Sequence, residues 1–377
     1  AGLAFWLRIV QVGESLWLDE LHTAWVVADG AGQLAPRAAI GNQSPAYFAL
    51  VWSVTKFAGA SEWSLRLPSV LAGVALAIGV HLAVVRWTAC WSAGLLAAVL
   101  VAVDRNCVFY GQEARPYALV QLVGLLHVVL FAGVLRRSAA AGGGTNGTGE
   151  SKRNDENDET ERSLEARLIR KSRAFGWAHL SLRAAWIATG VLLFYLHYTA
   201  VLLLAGEVVY YALLRVAERE PPADASGGGA AGHPSYRWRQ LAFDVTLLGL
   251  CLLPAVPHLR EIAQRRQNWS SFVPPRSLWR VWEIGDVFPL HVYLLAPLAV
   301  LAATLLSERI RWTRAPAAGG TCRDVRWFLL VLCWLLVPLV IAWLATVQGY
   351  APLFFRRYLI VAAVAPLLWA ALCYAAC

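Results

Sequence analysis

An all-α, polytopic integral membrane protein is the fold class the sequence predicts, and three observations predict it. Apolar residues fill 58% of the 377 positions, only 15% are charged, and 18 are tryptophan. The mean hydropathy is +0.52, too high for a soluble domain of this length. Long apolar runs recur from end to end, the mark of a helical chain with many crossings, and by run length they number about ten. The net charge of +9 belongs to topology rather than to nucleic acid, because Lys and Arg gather in alternate loops. The seven cysteines are scattered in or beside apolar runs and read as small buried hydrophobes, with no disulfide framework and no metal-ligand spacing.

Taken in order, the first run, Ala1 to Val12, is too short to cross ~30 Å of hydrocarbon. With Ala at position 1 and no Met, the chain reads as an excerpt. Ser15-Leu16-Trp17-Leu18-Asp19-Glu20 follows, two adjacent carboxylates where a helix leaves the bilayer. Neighbours on a helix point in different directions, so one carboxylate can face a reaction cavity while the other holds the loop that orients it. The plainer alternative is a solvated acidic turn, Asp19 as N-cap and Glu20 in the first turn. Residues Leu21 to Trp63 form a first loop with interfacial helices; its apolar stretch ending at Gly59 is short and carries Lys56, so it lies along the interface. The second span is Leu65 to Val85, with Pro68 in its first turn. The third runs from Trp91 to Val103 and stops at Asp104-Arg105-Asn106. The fourth follows Tyr110-Gly111-Gln112-Glu113-Ala114-Arg115-Pro116-Tyr117 and ends at Leu135.

From Arg136 to Arg183 the composition turns Gly/Thr-rich and then mixed-charge, predicting a disordered or loosely helical loop. Spans five and six, Ala184 to Leu196 and Thr199 to Leu214, are joined at His197-Tyr198. A Pro/Gly/Ser-rich loop covers 218–239, and span seven is Leu241 to Val256. A long loop, 257–288, carries Arg260, Arg265, Arg266, Arg276 and Arg280, together with an Asn268-Trp269-Ser270 glycosylation-acceptor pattern. The last spans are Pro289 to Leu306, Trp327 to Val347 and Tyr358 to Tyr374, making one transmembrane unit over 1–377. The basic loops at Arg86, Arg136 to Arg183, Arg215 to Arg239 and Arg309 to Arg326 take the cytoplasmic side. The acidic pair, Glu113, Arg115, His197, the 257–288 loop and Arg356-Arg357 then share the extracytoplasmic side.

Carboxylates and arginines together at an outer membrane face suit transfer of a sugar from a polyprenyl-phosphate carrier to an acceptor hydroxyl. The leaving phosphate departs as an anion and needs cations more than a general acid; Arg matches its oxygens bidentately. The acceptor hydroxyl needs one carboxylate base, unlike the pair used in glycoside hydrolysis. No cofactor and no metal ion are required, since Asp19 and Glu20 have no second cluster of oxygen ligands to complete a site.

These motifs carry a resemblance. Trp-Leu-Asp-Glu after a first span, Ser-Pro-Ala-Tyr-Phe in the loop, Arg-Leu-Pro-Ser entering span two, Gln-Glu-Ala-Arg-Pro-Tyr entering span four and Arg-Tyr entering the last span resemble a GT-C glycosyltransferase. The similarity is greatest to the bacterial branch related to protein O-mannosyltransferases and the lipid A aminoarabinose transferase, including the Rgt-type enzymes. It implies Asp19 as base with Glu20 as companion, and Arg115, Arg357 and Arg356 on the donor phosphate. Glu113, Tyr117, His197, Tyr198 and Tyr47 become pocket candidates. Ser44-Pro45 stands where that family usually has a Pro-Pro pair. The implied partners are a polyprenyl-phosphate sugar donor, a lipid, glycan or protein acceptor, and the bilayer, with no nucleic acid. The implied location is a bacterial inner membrane.

Each site residue also has a plainer role. Arg115 can anchor a helix beside Tyr110 and Tyr117, Glu113 can oppose a helix dipole, and His197 can be a turn residue. His81 and His127 read as packing residues. Glu207, inside span six, is the most expensive charge in the chain. A transporter or flippase for lipid-linked saccharides is the competing class, and it predicts broken helices and mid-bilayer charges; an inactive sugar-lipid-binding scaffold is the third.

Overall fold

The computed structural model describes residues 1–142, 158–217, 238–265 and 325–376, with Val273, Ser277, Trp279 and Trp282. Side chains are described throughout except at 137–142 and 158–176. Span eight, the Asn268 pattern, Arg266, Arg276 and Arg280 lie outside the described residues.

Every regular element among the described residues is a helix. Among the described residues, seven helical stretches are long and apolar enough to cross a membrane, or eight if one bent pair counts as a span. The chain is thus a polytopic membrane protein. α1 (Gly2–Ile9) is short, as its run length predicts. The 21–63 loop folds as α2 (Leu18–Ala28), a 3-10 turn at Ala31–Gln33, α3 (Leu34–Ile40) and α4 (Ala46–Ala58). The 13 residues of α4 reach only about 20 Å at 1.5 Å each, less than a bilayer core.

α5 (Glu62–Thr88) begins earlier than Leu65 because Ser61 and Ser64 close a reciprocal cap: Ser64 N donates to Ser61 Oγ (3.2 Å) and Ser61 N to Ser64 Oγ (2.9 Å). Pro68 therefore sits in the second turn rather than the first. α6 (Trp91–Val103) has the predicted bounds, but its 13 residues are again too few to cross. α7 (Arg105–Gln112) follows across Asp104, bent from α6 by 57°, and only the two together are long and apolar enough to count as a span.

This break is satisfied on both sides. Asp104 Oδ1 accepts from Cys107 N (2.9 Å) and caps α7. Arg8, fully buried, reaches the orphan carbonyls at the end of α6: Nη2 donates to Val101 O (3.1 Å) and Nη1 to Ala102 O (3.3 Å). The same guanidinium reaches Cys107 O in α7 (3.2 Å) and Ala4 O in its own helix (3.0 Å). Glycines make room for it. A Cβ on Gly111 would stand 2.7 Å from Arg8 Nε and 2.9 Å from Cδ, and one on Gly73 would stand 2.8 Å from Cδ. Gly111→Ala is expected to destabilise the fold by about 1–3 kcal/mol through overpacking. Thermal unfolding in detergent reads this, and an unchanged midpoint would show that Arg8 moves aside freely.

α8 (Tyr117–Gly142) and α9 (Asp158–Leu196) extend helix into the 136–183 stretch from both sides. The crossing part of α9 is Trp177–Leu196, not Ala184 onward. Arg183 marks a loop end in the sequence, yet its charge is met by Asp244 in α11 (Trp238–Leu252), with Nε–Oδ2 at 2.8 Å and Nη2–Oδ1 at 2.7 Å. A bidentate pair of this kind lets the charge stay in the helix.

A 3-10 turn at Tyr198–Val201 leads into α10 (Leu202–Ala217). α12 (Val256–Gln264) takes the start of the predicted 257–288 loop, with Arg260 within it. α13 (Val325–Val347) and the last crossing, a 3-10 stretch at Arg356–Ala362 followed by α14 (Ala365–Ala376), match their apolar runs. Glu207 in α10 accepts from Trp186 Nε1 (3.0 Å) and faces His127 Nε2 at 3.2 Å. His127 also meets Thr189 Oγ1 at 3.0 Å, so it belongs to a polar cluster and is more than packing.

Candidate functional site

Five chain segments meet at one end of the bundle: the start of α2, the first turns of α5, residues 113–117, the His197 turn, and Arg356–Tyr358. Their meeting is built on Glu20. The N-cap of α2 is Trp17, which places Asp19 and Glu20 both in the first helical turn, so the reading of Asp19 as N-cap is replaced. Glu20 reaches back to accept from Trp17 N (3.3 Å), and its Oε1 accepts from Arg66 Nε and from Ala114 N (both 2.8 Å). Arg66 Nη2 closes a second arm on Oε2. Arg66 Nη1 also donates to Val12 O (2.8 Å) and Glu14 O (2.6 Å), tying down the turn before α2. Glu20 is 1% exposed and its acceptor positions are occupied. It is the carboxylate that holds the loop, and it does not face a cavity.

Asp19 faces the other way. Its Oδ2 lies 3.2 Å from Arg357 Nη1, and the two side chains are 27% and 33% exposed. Among the described residues the aspartate thus faces Arg357 and keeps access to solvent. Arg357 has the Tyr117 hydroxyl as a further partner.

Arg115 is 5% exposed and spends its guanidinium on structure: Nη1 donates to the Asp19 carbonyl (3.2 Å), and the Gln43 carboxamide oxygen, turned toward it, accepts from the same guanidinium. The Arg115 carbonyl accepts from Ser69 Oγ (3.0 Å), which meets the Tyr47 hydroxyl at 3.2 Å. Tyr47 is therefore a buried strut, and burial raises its hydroxyl above the usual phenol range. Thr23 Oγ1 donates to Ala114 O (2.8 Å), so Ala114 is held from both peptide faces.

Glu113 is 4% exposed, and among the described residues neither carboxylate oxygen has a hydrogen-bond partner. Burial, reinforced by Glu20, pushes its carboxyl up to about 8 against the pull of Arg115. At neutral pH it carries a proton. An unfolded chain releases that proton near 4.5, so between there and about 8 the folded protein binds one proton more and stability falls as pH rises. The slope is at most ~1.4 kcal/mol per pH unit. Glu113→Gln is expected to flatten this decline, measured as unfolding temperature against pH; an unchanged slope would mean that Glu113 is already ionised.

His197 meets Thr199 Oγ1 at 2.8 Å, and Thr199 donates to the Tyr358 carbonyl (2.6 Å), fastening the start of the last crossing. Burial, with Arg115 and Arg357 nearby, brings His197 down to about 4, so it is neutral and not a cationic phosphate ligand. Tyr198 meets His258 Nδ1 (2.8 Å) on α12 and has the Ser44 hydroxyl as a further partner. Arg356, next to Arg357 in the chain, turns toward Asn106 Oδ1 (3.4 Å).

The structure therefore brings together Asp19, Glu20, Glu113, Arg115, Tyr117, His197 and Arg357, while Tyr198 meets His258 and Arg356 meets Asn106. Arg66, Gln43 and Arg8 are the supports that sequence reasoning missed. Arg66 lies in the quoted Arg-Leu-Pro-Ser motif, and a cation in the first turn of a span was its signal. For Arg8 the signal was a charge inside an apolar run. Among the described residues, no three His, Cys, Asp or Glu side chains are grouped to hold a metal ion. No family model, curated protein or solved structure compared with the chain matches it.

Proposed function

We propose that the protein is a membrane glycosyltransferase of the GT-C type, moving a sugar from a polyprenyl-phosphate donor to an acceptor hydroxyl on the extracytoplasmic face. The observation that carries this reading is the contrast between two neighbouring carboxylates. Glu20 is buried and fully bonded, while Asp19 is part-exposed and beside Arg357. Asp19 accepts the acceptor hydroxyl proton as that oxygen bonds to the anomeric carbon. The bond from that carbon to the carrier phosphate breaks, its electron pair staying on phosphate oxygen, and Arg357 and Arg356 offset the charge. Arg115, spent on the Asp19 carbonyl and Gln43, positions the base and leaves the phosphate to the other two. The order of the motifs along the chain adds support from resemblance.

The test is the full chain in liposomes with polyprenyl-phosphate-linked sugars and a set of hydroxyl acceptors. Release of polyprenyl monophosphate matched by glycosylated acceptor is expected; intact donor with every sugar would end the proposal. One pair of observations favours a transporter instead: the break between α6 and α7, and Glu207 buried between helices. That reading predicts movement of the lipid-linked sugar between leaflets without bond cleavage, which the same liposomes distinguish.

A further inference from the structure

Between the end of α13 at Val347 and the 3-10 stretch that opens at Arg356, residues 348–355 form no regular element, yet they deliver Arg357 to the Asp19 centre. The contacts made by the two arginines themselves are too weak to fix this segment. Arg356 meets Asn106 at 3.4 Å on the surface, and the Asp19–Arg357 pair is part-exposed on both sides. Such pairs lose most of what they gain to solvent screening and side-chain entropy. The segment is held from elsewhere.

Thr346, one residue before the end of α13, supplies the hold. Its Oγ1 accepts from Leu353 N (2.9 Å) and from Phe354 N (2.8 Å). Its hydrogen goes back one turn to Ala342 O (2.8 Å), with Ala351 O further off at 3.3 Å. One donor and two acceptor positions are all that a hydroxyl has, and all are in use. Gly349, at φ +72°, is the left-handed residue after which the chain turns back toward Thr346. Phe354, bonded there through its amide, is 1% exposed, so the fastening sits against the core. On the far side of the arginines, Tyr358 O accepts from Thr199 Oγ1 (2.6 Å). Arg356 and Arg357 thus lie between two threonine anchors, and within that bracket the Phe355 ring lies under the Arg357 guanidinium at 5.0 Å.

We propose that Thr346 is a positioning residue of the Asp19 centre, its hydroxyl setting where Arg357 stands against Asp19. The placement follows from the bonds above, and its catalytic consequence rests on the glycosyl-transfer reading. There a guanidinium displaced by about 1 Å offers less to the charge that develops on the leaving phosphate.

The test uses the full chain in phosphatidylcholine nanodiscs with fluorophenylalanine at position 355, whose fluorine NMR signal reports the cation above the ring. Thr346→Val keeps the shape of the side chain and leaves both amides without an acceptor. It should move the signal to the position found in Arg357→Ala, while Thr346→Ser should keep the wild-type signal. In the liposome transfer assay Thr346→Val should lower kcat up to about a hundredfold with little change in KM, and Thr346→Ser should restore it. In an Arg357→Ala background Thr346→Val should cost nothing further, because it acts through that arginine. Should unfolding temperatures show that the valine variant does not fold, Thr346→Cys, whose thiol accepts more weakly, should give the same changes at smaller size. A wild-type signal in folded Thr346→Val, or an undiminished effect of Thr346→Val without Arg357, overturns the inference. The expected signals with no transfer from any donor would keep the anchor and end the glycosyl-transfer reading. Transfer that needs Asp19 and Arg357 yet runs equally in Thr346→Val and wild type would do the reverse.

Discussion

Asp19→Asn is expected to lower sugar transfer by about 10²–10⁴-fold, the usual worth of a positioned general base. At 1.36 kcal/mol per decade this is about 3–5 kcal/mol of barrier. Asparagine keeps the size of the side chain and can still face Arg357, but it cannot take a proton. The effect should fall on kcat more than on KM, because the base acts only as the acceptor oxygen attacks. Stability should hardly change. The Asp19–Arg357 pair is about a third exposed on each side, and exposed pairs contribute at most ~1 kcal/mol. Transfer kinetics beside thermal unfolding separate the two effects. Equal rates for both proteins would make Asp19 a structural residue and move the chemistry elsewhere.

Glu20→Ala is expected to do the opposite. Arg66 is 5% exposed, and without Glu20 it keeps only the backbone carbonyls of the preceding turn. Removing one partner of a buried ion pair typically costs about 3–5 kcal/mol, a large part of the stability of a typical domain. The Ala114 N–H and the Trp17 N–H lose their acceptor as well. Yield and unfolding temperature should therefore drop sharply. Glu20→Gln, able to accept from one amide, should recover part of the loss. The molecules that do fold should still transfer sugar, since Glu20 has no face toward an acceptor. Abolished transfer at unchanged stability would put Glu20 in the chemistry and contradict its burial.

Much of this architecture was legible because membrane helices announce themselves by composition alone. The bounds of α6 and the end of α13 followed from run length. The division of labour between Asp19 and Glu20 followed from helical geometry, since adjacent residues diverge. Pairing between distant segments was not legible. Arg183 was read as the edge of a loop because its partner Asp244 lies 61 residues on, and nothing local distinguishes a paired arginine from a solvated one. The same blindness hid Arg8, three of whose four acceptors lie on helices that periodicity treats separately. Arg115 was legible as a candidate but not in its contacts: its use on the Asp19 carbonyl depends on how α2 packs. Glu113 shows the converse, because sequence exposes a carboxylate but not the burial that keeps it protonated.

The contacts around the acidic pair also differ in when a growing chain can make them. Glu20 finds Arg66 46 residues later and Ala114 94 residues later, so its clamp can close while much of the protein is still being synthesised. Asp19 waits for Arg357, 338 residues away, which arrives only with the last crossing. Scaffold and reactive centre therefore mature at different moments. A ribosome stalled before residue 356 would leave a chain with its loop already fastened and its aspartate without a cation. For the proposed transferase, a half-inserted chain would therefore have its scaffold before its Asp19–Arg357 pair.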